Sequence, residues 1–88
     1  MHVDREIIRG FLVEFSEGGI EVGYEDSLLE SGLLDSLTMV ELLAFMEAQF
    51  EVTIDDDEVI PENFETIETI AGFLEMKMGP MARRSTRN

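Results

Sequence analysis

The chain has 88 residues, 44% of them hydrophobic and 30% charged, which predicts one globular domain with a modest core rather than a disordered segment. Its 20 acidic residues outnumber its 6 basic ones and give a formal net charge of −14. This charge argues against binding to nucleic acids and against binding to anionic membrane surfaces. There is no cysteine, which excludes disulfides and thiolate metal sites. The sequence also shows no secretion signal at its start and no membrane-span pattern. Together with the lack of cysteine, these features predict a cytoplasmic protein.

The charges are unevenly distributed along the chain. No Lys, Arg or His lies between Gly10 and Met76, whereas all but two of the 20 acids do. Such a surface attracts basic protein patches, although acids that only keep a small protein soluble would give the same pattern. Mutual repulsion at this charge also predicts a monomer.

The first predicted helix runs from Asp4 to about Phe15, with Asp4 as its candidate N-cap and Gly18-Gly19 as its end. Its apolar residues have the spacing of one helix face: Ile7, Ile8, Phe11, Leu12 and Phe15. Residues 17–35 then form a long loop. We expect its apolar side chains to pin it to the core, namely Ile20, Val22, Tyr24, Leu28, Leu29, Leu33 and Leu34.

The second helix is predicted from Ser36 to about Glu51. A short acidic turn of helix follows over residues 55–60, and we expect Pro61 to stop it. The predicted fold is therefore all-α. It is a small four-helix bundle, with three longer helices and one short one, and with a long loop between helices one and two.

The last helix is predicted from Thr66 to about Met78, because Thr66 suits the N-cap position and Gly79 begins a firm stop signal. Residues 1–80 are predicted to form the single domain. Residues 81–88 carry three arginines and no apolar periodicity, and they are expected to form a flexible tail.

The sequence offers little for catalysis or metal binding. His2 is the only histidine and lies near a terminus, so it is a poor source for a triad or a general acid. An EF-hand loop beginning at Asp55 would need an oxygen ligand and a glycine where Val59 and Ile60 stand. We therefore predict no catalytic residue and no metal site, and we interpret the acidic run after Ile54 as a solvated helix start.

The second helix is predicted to have two different faces. At about 100° per residue, its large apolar residues face the core. These residues are Met39, Leu42, Leu43, Phe45, Met46 and Phe50. The opposite arc includes Leu37, Val40, Glu41 and Glu47. An exposed apolar pair surrounded by carboxylates is typical of a docking surface, although single exposed apolar residues are also ordinary.

Asp35 and Ser36 stand where the long loop meets the second helix. One of them is expected to be the N-cap, without a reciprocal capping box, because Thr38 and Met39 occupy the positions where that box needs Glu or Gln. A helix N-terminus also tolerates a phosphate on a serine oxygen, because its free N–H groups and dipole favour an anion. Ser36 is therefore a candidate for modification by another enzyme.

The segment GLLDSLTMVELL, residues 32–43, resembles the modification motif of acyl carrier proteins, whose hallmark is Asp-Ser-Leu at the start of the second helix. The resemblance covers residues 3–78. It includes the Val-Glu-Leu continuation, an amphipathic helix and long loop before the motif, and the strong acidity. It implies a four-helix fold with a long first loop.

The resemblance also implies a function, that of a non-catalytic carrier. A phosphopantetheinyl transferase would use coenzyme A and Mg²⁺ to attach 4′-phosphopantetheine to Ser36, and the arm would hold acyl or aminoacyl cargo as a thioester. Asp35 and Leu37 complete the cofactor-binding motif, with Asp35 engaging the transferase and its metal. The implied partners are that transferase, an acyl- or aminoacyl-loading ligase and downstream enzymes, whose basic patches would meet Leu37, Val40, Glu41 and Glu47.

The cargo stays open between fatty acyl, polyketide and aminoacyl or peptidyl groups. Leu33-Leu34 stand where fatty-acid carriers more often have Gly-Ala, and residues 61–64 resemble stand-alone carriers of specialised pathways. A carrier of a specialised pathway is therefore the first interpretation, and fatty-acid synthesis the second. For a fatty acyl chain, an adaptable methionine interior is expected from Met39, Met46, Met76 and Met78.

Two other functions are compatible with parts of the pattern. An unmodified acidic helical module that binds a basic partner would explain the charge and the exposed apolar pair, but not Asp-Ser-Leu at the loop–helix junction. A small hydrolase using Ser36 would need a general base, which the sequence does not supply.

Overall fold

The computed structural model describes residues 2–15 and 21–79. This part of the chain contains no strand and has four α-helices, which confirms the all-α prediction. The helices are α1 (Arg5–Phe15), α2 (Ser36–Phe50), α3 (Pro61–Phe64) and α4 (Ile67–Met78), with a 3₁₀ turn over Asp56–Glu58 before α3. None of the described helices is long and apolar enough to cross a membrane.

One hydrophobic core joins all four helices. Helix α4 packs against α1 and α3, and α1 also packs against α2. The fully buried side chains of the core include Ile8, Leu12, Leu42, Met46, Phe64, Ile67, Ile70 and Leu74. The buried residues of α1 and α2 belong to the apolar faces that their periodicity predicted. Phe15 was also placed on the apolar face of α1, but it is 44% exposed, so that part of the prediction is wrong.

Both ends of α4 and the N-terminus of α1 have the caps that the sequence predicted. The Thr66 hydroxyl accepts a hydrogen bond from the Thr69 backbone N–H at 3.1 Å, and the Thr69 hydroxyl accepts one from the Thr66 N–H at 3.0 Å. Gly79 follows α4 with a φ of 49°, a conformation that suits glycine. At α1, the Asp4 carboxylate accepts from the Glu6 N–H at 3.0 Å.

Pro61 begins a helix instead of stopping one, so that part of the prediction is wrong. The helical turn expected over residues 55–60 is only the 3₁₀ turn Asp56–Glu58, and α3 starts at Pro61. Proline breaks a helix when it lies in the interior, whereas at the first position its missing N–H has no intrahelical partner to lose.

The long loop before α2 is held down by its apolar side chains, as predicted. Val22, Leu28 and Leu34 are buried, and Tyr24, Leu29 and Leu33 pack partly against the core. The loop backbone also bonds to the α3–α4 region. The Leu28 N–H donates to the Glu65 carbonyl at 2.7 Å, and the Glu68 N–H donates to the Tyr24 carbonyl at 3.0 Å. Gly18, Gly19, Ile20 and residues 81–88 lie outside the described residues.

Arg5 ties the start of the chain to α4. Its guanidinium donates to Glu75 Oε2 at 2.6 Å, to Glu68 Oε1 at 3.1 Å and to the Val3 carbonyl at 2.8 Å. The Val3 N–H also donates to Glu75 Oε2, at 2.9 Å, and the Val3 side chain is buried. Hydrogen bonds to these two carboxylates raise the pKa of Arg5, so its charge is permanent.

The methionines only partly form the expected interior. Met46 is buried, and Met39 and Met78 pack partly against the core. Met76 is 78% exposed, so its assignment to the interior is wrong. It lies two residues after buried Leu74, and two residues correspond to about 200° of helix rotation, which turns Met76 towards solvent.

Candidate functional site

Ser36 is the first residue of α2, and its side chain is exposed. Asp35 precedes it with an extended backbone and is the N-cap: its carboxylate accepts a hydrogen bond from the Thr38 N–H at 2.9 Å. Within residues 2–15 and 21–79, the Ser36 hydroxyl has no hydrogen-bond partner. The cap that the sequence left open between two residues is therefore Asp35, and the Ser36 oxygen is free to react.

Asp35 keeps a negative charge beside that hydroxyl. The hydrogen bond from the Thr38 backbone N–H is the main cause that lowers the pKa of Asp35 below its ordinary value, and the Thr38 side chain adds to it. The side chain of Asp35 is exposed, as is that of Ser36. An anion and an unpaired hydroxyl thus stand side by side at the positive end of the helix dipole.

The outward face of α2 has the composition that its periodicity predicted. Leu37 is 69% exposed and Val40 is 61% exposed, and the side chain of Glu41 is exposed as well. Leu42 and Met46, on the other face, are fully buried. An apolar pair in solvent beside a free carboxylate is compatible with the predicted docking surface, which stays a prediction.

Glu47 has a local contact that sequence reasoning missed. Its side chain is only partly exposed, and its Oε2 accepts a hydrogen bond from the Ile54 N–H at 2.8 Å. This bond fastens the segment after α2 back onto the helix. Glu47 therefore stabilises a turn as well as lying on the predicted docking face, whereas Glu41 has no described partner.

A cleft of about 380 Å³ opens beside the start of α2. Its lining combines apolar and acidic side chains, among them Phe15, Val22, Leu33, Glu21, Asp26 and Asp35. Gly32 contributes to the lining with a φ of 80°, a left-handed conformation in the turn that leads into α2. No sequence motif indicated this cleft, because its lining comes from α1, the long loop and α2.

The residues at the junction fit an attached phosphate ester. Helix α2 has 15 residues, its first side chain carries the free hydroxyl, and that side chain is exposed to an approaching enzyme. A phosphodiester on this oxygen would lie at a helix N-terminus, which favours an anion. Since Asp35 caps the helix, attachment would break no hydrogen bond of the described fold.

Comparison with protein families gives a match over most of the chain. Residues 7–74 match the family model described as a phosphopantetheine attachment site. Aminoacyl carrier protein 1 of Bradyrhizobium diazoefficiens is 32% identical over 75 residues, which are 85% of this chain and 81% of that protein.

Solved structures resemble this chain in sequence and in fold. One is a chain from the crystal structure of Bradyrhizobium japonicum glycine:carrier protein ligase complexed with glycylated carrier protein. It has a TM-score of 0.64 and 34% identity, and the match covers 75% of this chain and 90% of that chain. Another is the holo acyl carrier protein from Nitrosomonas europaea, with a TM-score of 0.67, 28% identity and coverage of 84% of this chain and 94% of that chain.

Proposed function

This chain belongs to the phosphopantetheine attachment-site family of acyl carrier proteins, and from that premise we propose that Ser36 is the residue that bears the prosthetic group. As a member of the family it is a non-catalytic carrier whose cofactor is covalently bound 4′-phosphopantetheine. The observation that carries the proposal is the exposed Ser36 hydroxyl, which has no described hydrogen-bond partner and follows the Asp35 cap.

We propose further that the cargo is an aminoacyl group. The prosthetic group supplies a terminal thiol, which holds cargo as a thioester. Two relatives above 30% identity support an amino acid as that cargo: one is named an aminoacyl carrier protein, and the other match is a chain in a glycine:carrier protein ligase complex. An aminoacyl-loading ligase is then the partner that charges this chain, after a phosphopantetheinyl transferase has modified it.

The side chains around Ser36 have separate tasks in this proposal. Asp35 holds the first turn of α2 in place and offers an ionised carboxylate to the metal of the transferase. Leu37 and Val40 give partner enzymes an apolar contact of low desolvation cost. Glu41 adds charge that steers basic partners towards this face.

The first experiment is intact-protein mass spectrometry after incubation with coenzyme A, Mg²⁺ and a broad-specificity transferase. We expect a mass gain of one phosphopantetheine, abolished in Ser36→Ala. The matched control is Ser31→Ala, an exposed serine of the preceding loop, which should be modified like the parent chain. No gain with a transferase that modifies another carrier would favour the unmodified acidic binding module.

The cargo is tested separately on the modified chain. The same preparation is offered to an aminoacyl-loading ligase with glycine and to a fatty acyl-loading ligase, and the loaded mass is followed over time. We expect faster loading with glycine. Loading by the fatty acyl ligase alone would refute the aminoacyl cargo and leave the attachment at Ser36 standing.

A further inference from the structure

The chain approaches α2 through a turn formed by residues 27–34, the pre-α2 turn. The Leu34 N–H donates to the Leu28 carbonyl at 3.1 Å and so closes the turn. Inside it, the Ser27 hydroxyl accepts a hydrogen bond from the Glu30 N–H at 3.1 Å. The side chains of Leu28 and Leu34 are buried in the core. Because the turn is closed by its own hydrogen bonds, its orientation is decided by its contacts with the rest of the fold.

Glu65, which lies between α3 and α4, binds the pre-α2 turn in two ways. Its backbone carbonyl accepts a hydrogen bond from the Leu28 N–H at 2.7 Å. Its side chain accepts a second one from the Ser27 hydroxyl, and this bond is partly buried. Water therefore competes less with the Ser27–Glu65 bond than with a bond on the open surface. A single residue far along the chain thus fixes the start of the turn through both its backbone and its carboxylate.

The pre-α2 turn is separated from Ser36 by a single residue. Asp35 stands between Leu34, the last residue of the turn, and Ser36, and its side chain is occupied as the cap of α2. Among the described residues, the Ser36 hydroxyl has no hydrogen-bond partner that could orient it. Its direction therefore depends on the backbone on its two sides, which is the helix after it and the turn before it.

We propose that Glu65 is a positioning residue for the modification of Ser36, acting through Ser27 and the pre-α2 turn. The proposal rests on the proposed function and adds to it a residue that lies outside the attachment motif. Among the described residues, Glu65 forms no hydrogen bond to α2, so it is not part of the predicted docking surface. Its loss should slow the transfer itself and leave the docking of the transferase unchanged.

The transfer is sensitive to the position of the attacking oxygen. The Ser36 oxygen forms a bond to the phosphorus that carries pantetheine in coenzyme A. The bond from that phosphorus to adenosine 3′,5′-bisphosphate breaks, the bisphosphate leaves with the electron pair, and the hydroxyl proton passes to solvent. A misplacement of about 1 Å, even one caused far from the chemistry, can slow such a step by about 100-fold.

The test measures initial rates of modification by intact mass at several concentrations of the carrier, with coenzyme A, Mg²⁺ and a broad-specificity transferase. In Glu65→Ala we expect kcat to fall by about 10-fold and KM for the carrier to stay unchanged. Glu65→Gln keeps an oxygen that accepts from Ser27 and should restore most of the parent kcat. Glu25→Ala is the control, because it removes the same charge from an exposed loop residue, and its kcat should equal that of the parent chain.

Ser27→Ala removes the same bond from its other end and leaves the bond between Leu28 and the Glu65 carbonyl in place. It should also lower kcat, and the double variant Ser27→Ala/Glu65→Ala should lose less than the product of the two single losses. Urea unfolding verifies that each variant is folded in the assay.

Multiplicative losses in the double variant would overturn the inference. So would a rise in KM at unchanged kcat, a loss that Glu65→Gln does not restore, or an equal loss in Glu25→Ala. The proposed function has a separate outcome, because it would be refuted by the absence of any mass gain on the parent chain.

Discussion

The carboxylate of Asp35 accepts a hydrogen bond from the Thr38 backbone N–H at 2.9 Å, so the cap of α2 comes from the residue before Ser36. Two adjacent polar side chains thus have different tasks. Asp35 satisfies the helix terminus, and Ser36 contributes to α2 only through its backbone. The position that we propose for modification is therefore not needed to hold the helix.

Substitutions at the two positions should have different effects on stability. Ser36→Ala should change the free energy of unfolding by less than about 0.5 kcal/mol, because an exposed side chain without a partner is lost. Asp35→Ala should lower it by about 1 kcal/mol, because an N-cap is lost, and Asp35→Asn should keep most of the cap. Urea unfolding followed by circular dichroism measures all three variants. An equal loss in Ser36→Ala and Asp35→Ala would contradict this division of tasks.

Charge reversal at Glu41 should weaken docking. Glu41→Lys places a cation on the exposed face of α2, so the association rate with the transferase should fall most at low salt, and the difference from the parent chain should shrink as salt is added. Stopped-flow or surface-binding kinetics across a salt series measure this effect. Glu14→Lys on α1 is the control of equal charge, and the same loss in that variant would indicate a general charge effect. Glu47→Lys is less informative, since it also breaks the bond to Ile54.

Stability should fall in acid partly through Glu75. The Val3 N–H, followed by the Arg5 guanidinium, lowers the pKa of Glu75 below its ordinary value of 4.5. A carboxylate whose pKa is lower in the folded chain than in the unfolded chain stabilises the fold. Its contribution to the free energy of unfolding is complete above the unfolded pKa and is lost as the pH falls through the folded pKa. Glu75→Gln should therefore reduce the slope of unfolding free energy against pH below about 4.5. Glu14→Gln is the control, because Glu14 is exposed on α1. If Glu75→Gln left the slope as unchanged as Glu14→Gln does, Glu75 would not be a cause of the loss of stability in acid.

Added salt should raise the melting temperature. The long stretch from Gly10 to Met76 carries acids without a compensating base, and their repulsion is screened as the Debye length falls from about 30 Å at 0.01 M to about 10 Å at 0.1 M. Divalent cations should act at lower concentration than sodium. Differential scanning calorimetry across a salt series measures the effect, and a flat response would contradict net repulsion as a destabilising term.

Local signals in the sequence predicted much of this structure. Thr66 and Gly79 bound α4 as expected, and the junction at Asp35 and Ser36 begins α2. These features depend on a few neighbouring residues, whose caps and φ preferences are local. The start of α3 was missed for a local reason too, because Pro61 was interpreted as a stop when the first helical position also accepts it.

Contacts between distant residues could not be predicted in the same way. The bonds from Arg5 to Glu68 and Glu75 join residues 63 and 70 positions apart, and nothing in the sequence selects those two acids from the others. The acidic cleft likewise requires α1, the loop and α2 to be in place before its lining residues meet. The residue that we propose for attachment was therefore predicted from its motif, whereas the neighbouring cleft is visible only in the fold.

The hydrogen bonds of Val3 and Arg5 with Glu75 bring the beginning of the described chain next to the last turns of α4. Residue 79 lies only four positions beyond Glu75, about 6 Å of helix rise. A short peptide from residue 79 to residue 2 would therefore close the fold into a ring. New ends could then be opened at the exposed turn around Glu25, giving a circular permutant that leaves α2 and its first residue unbroken.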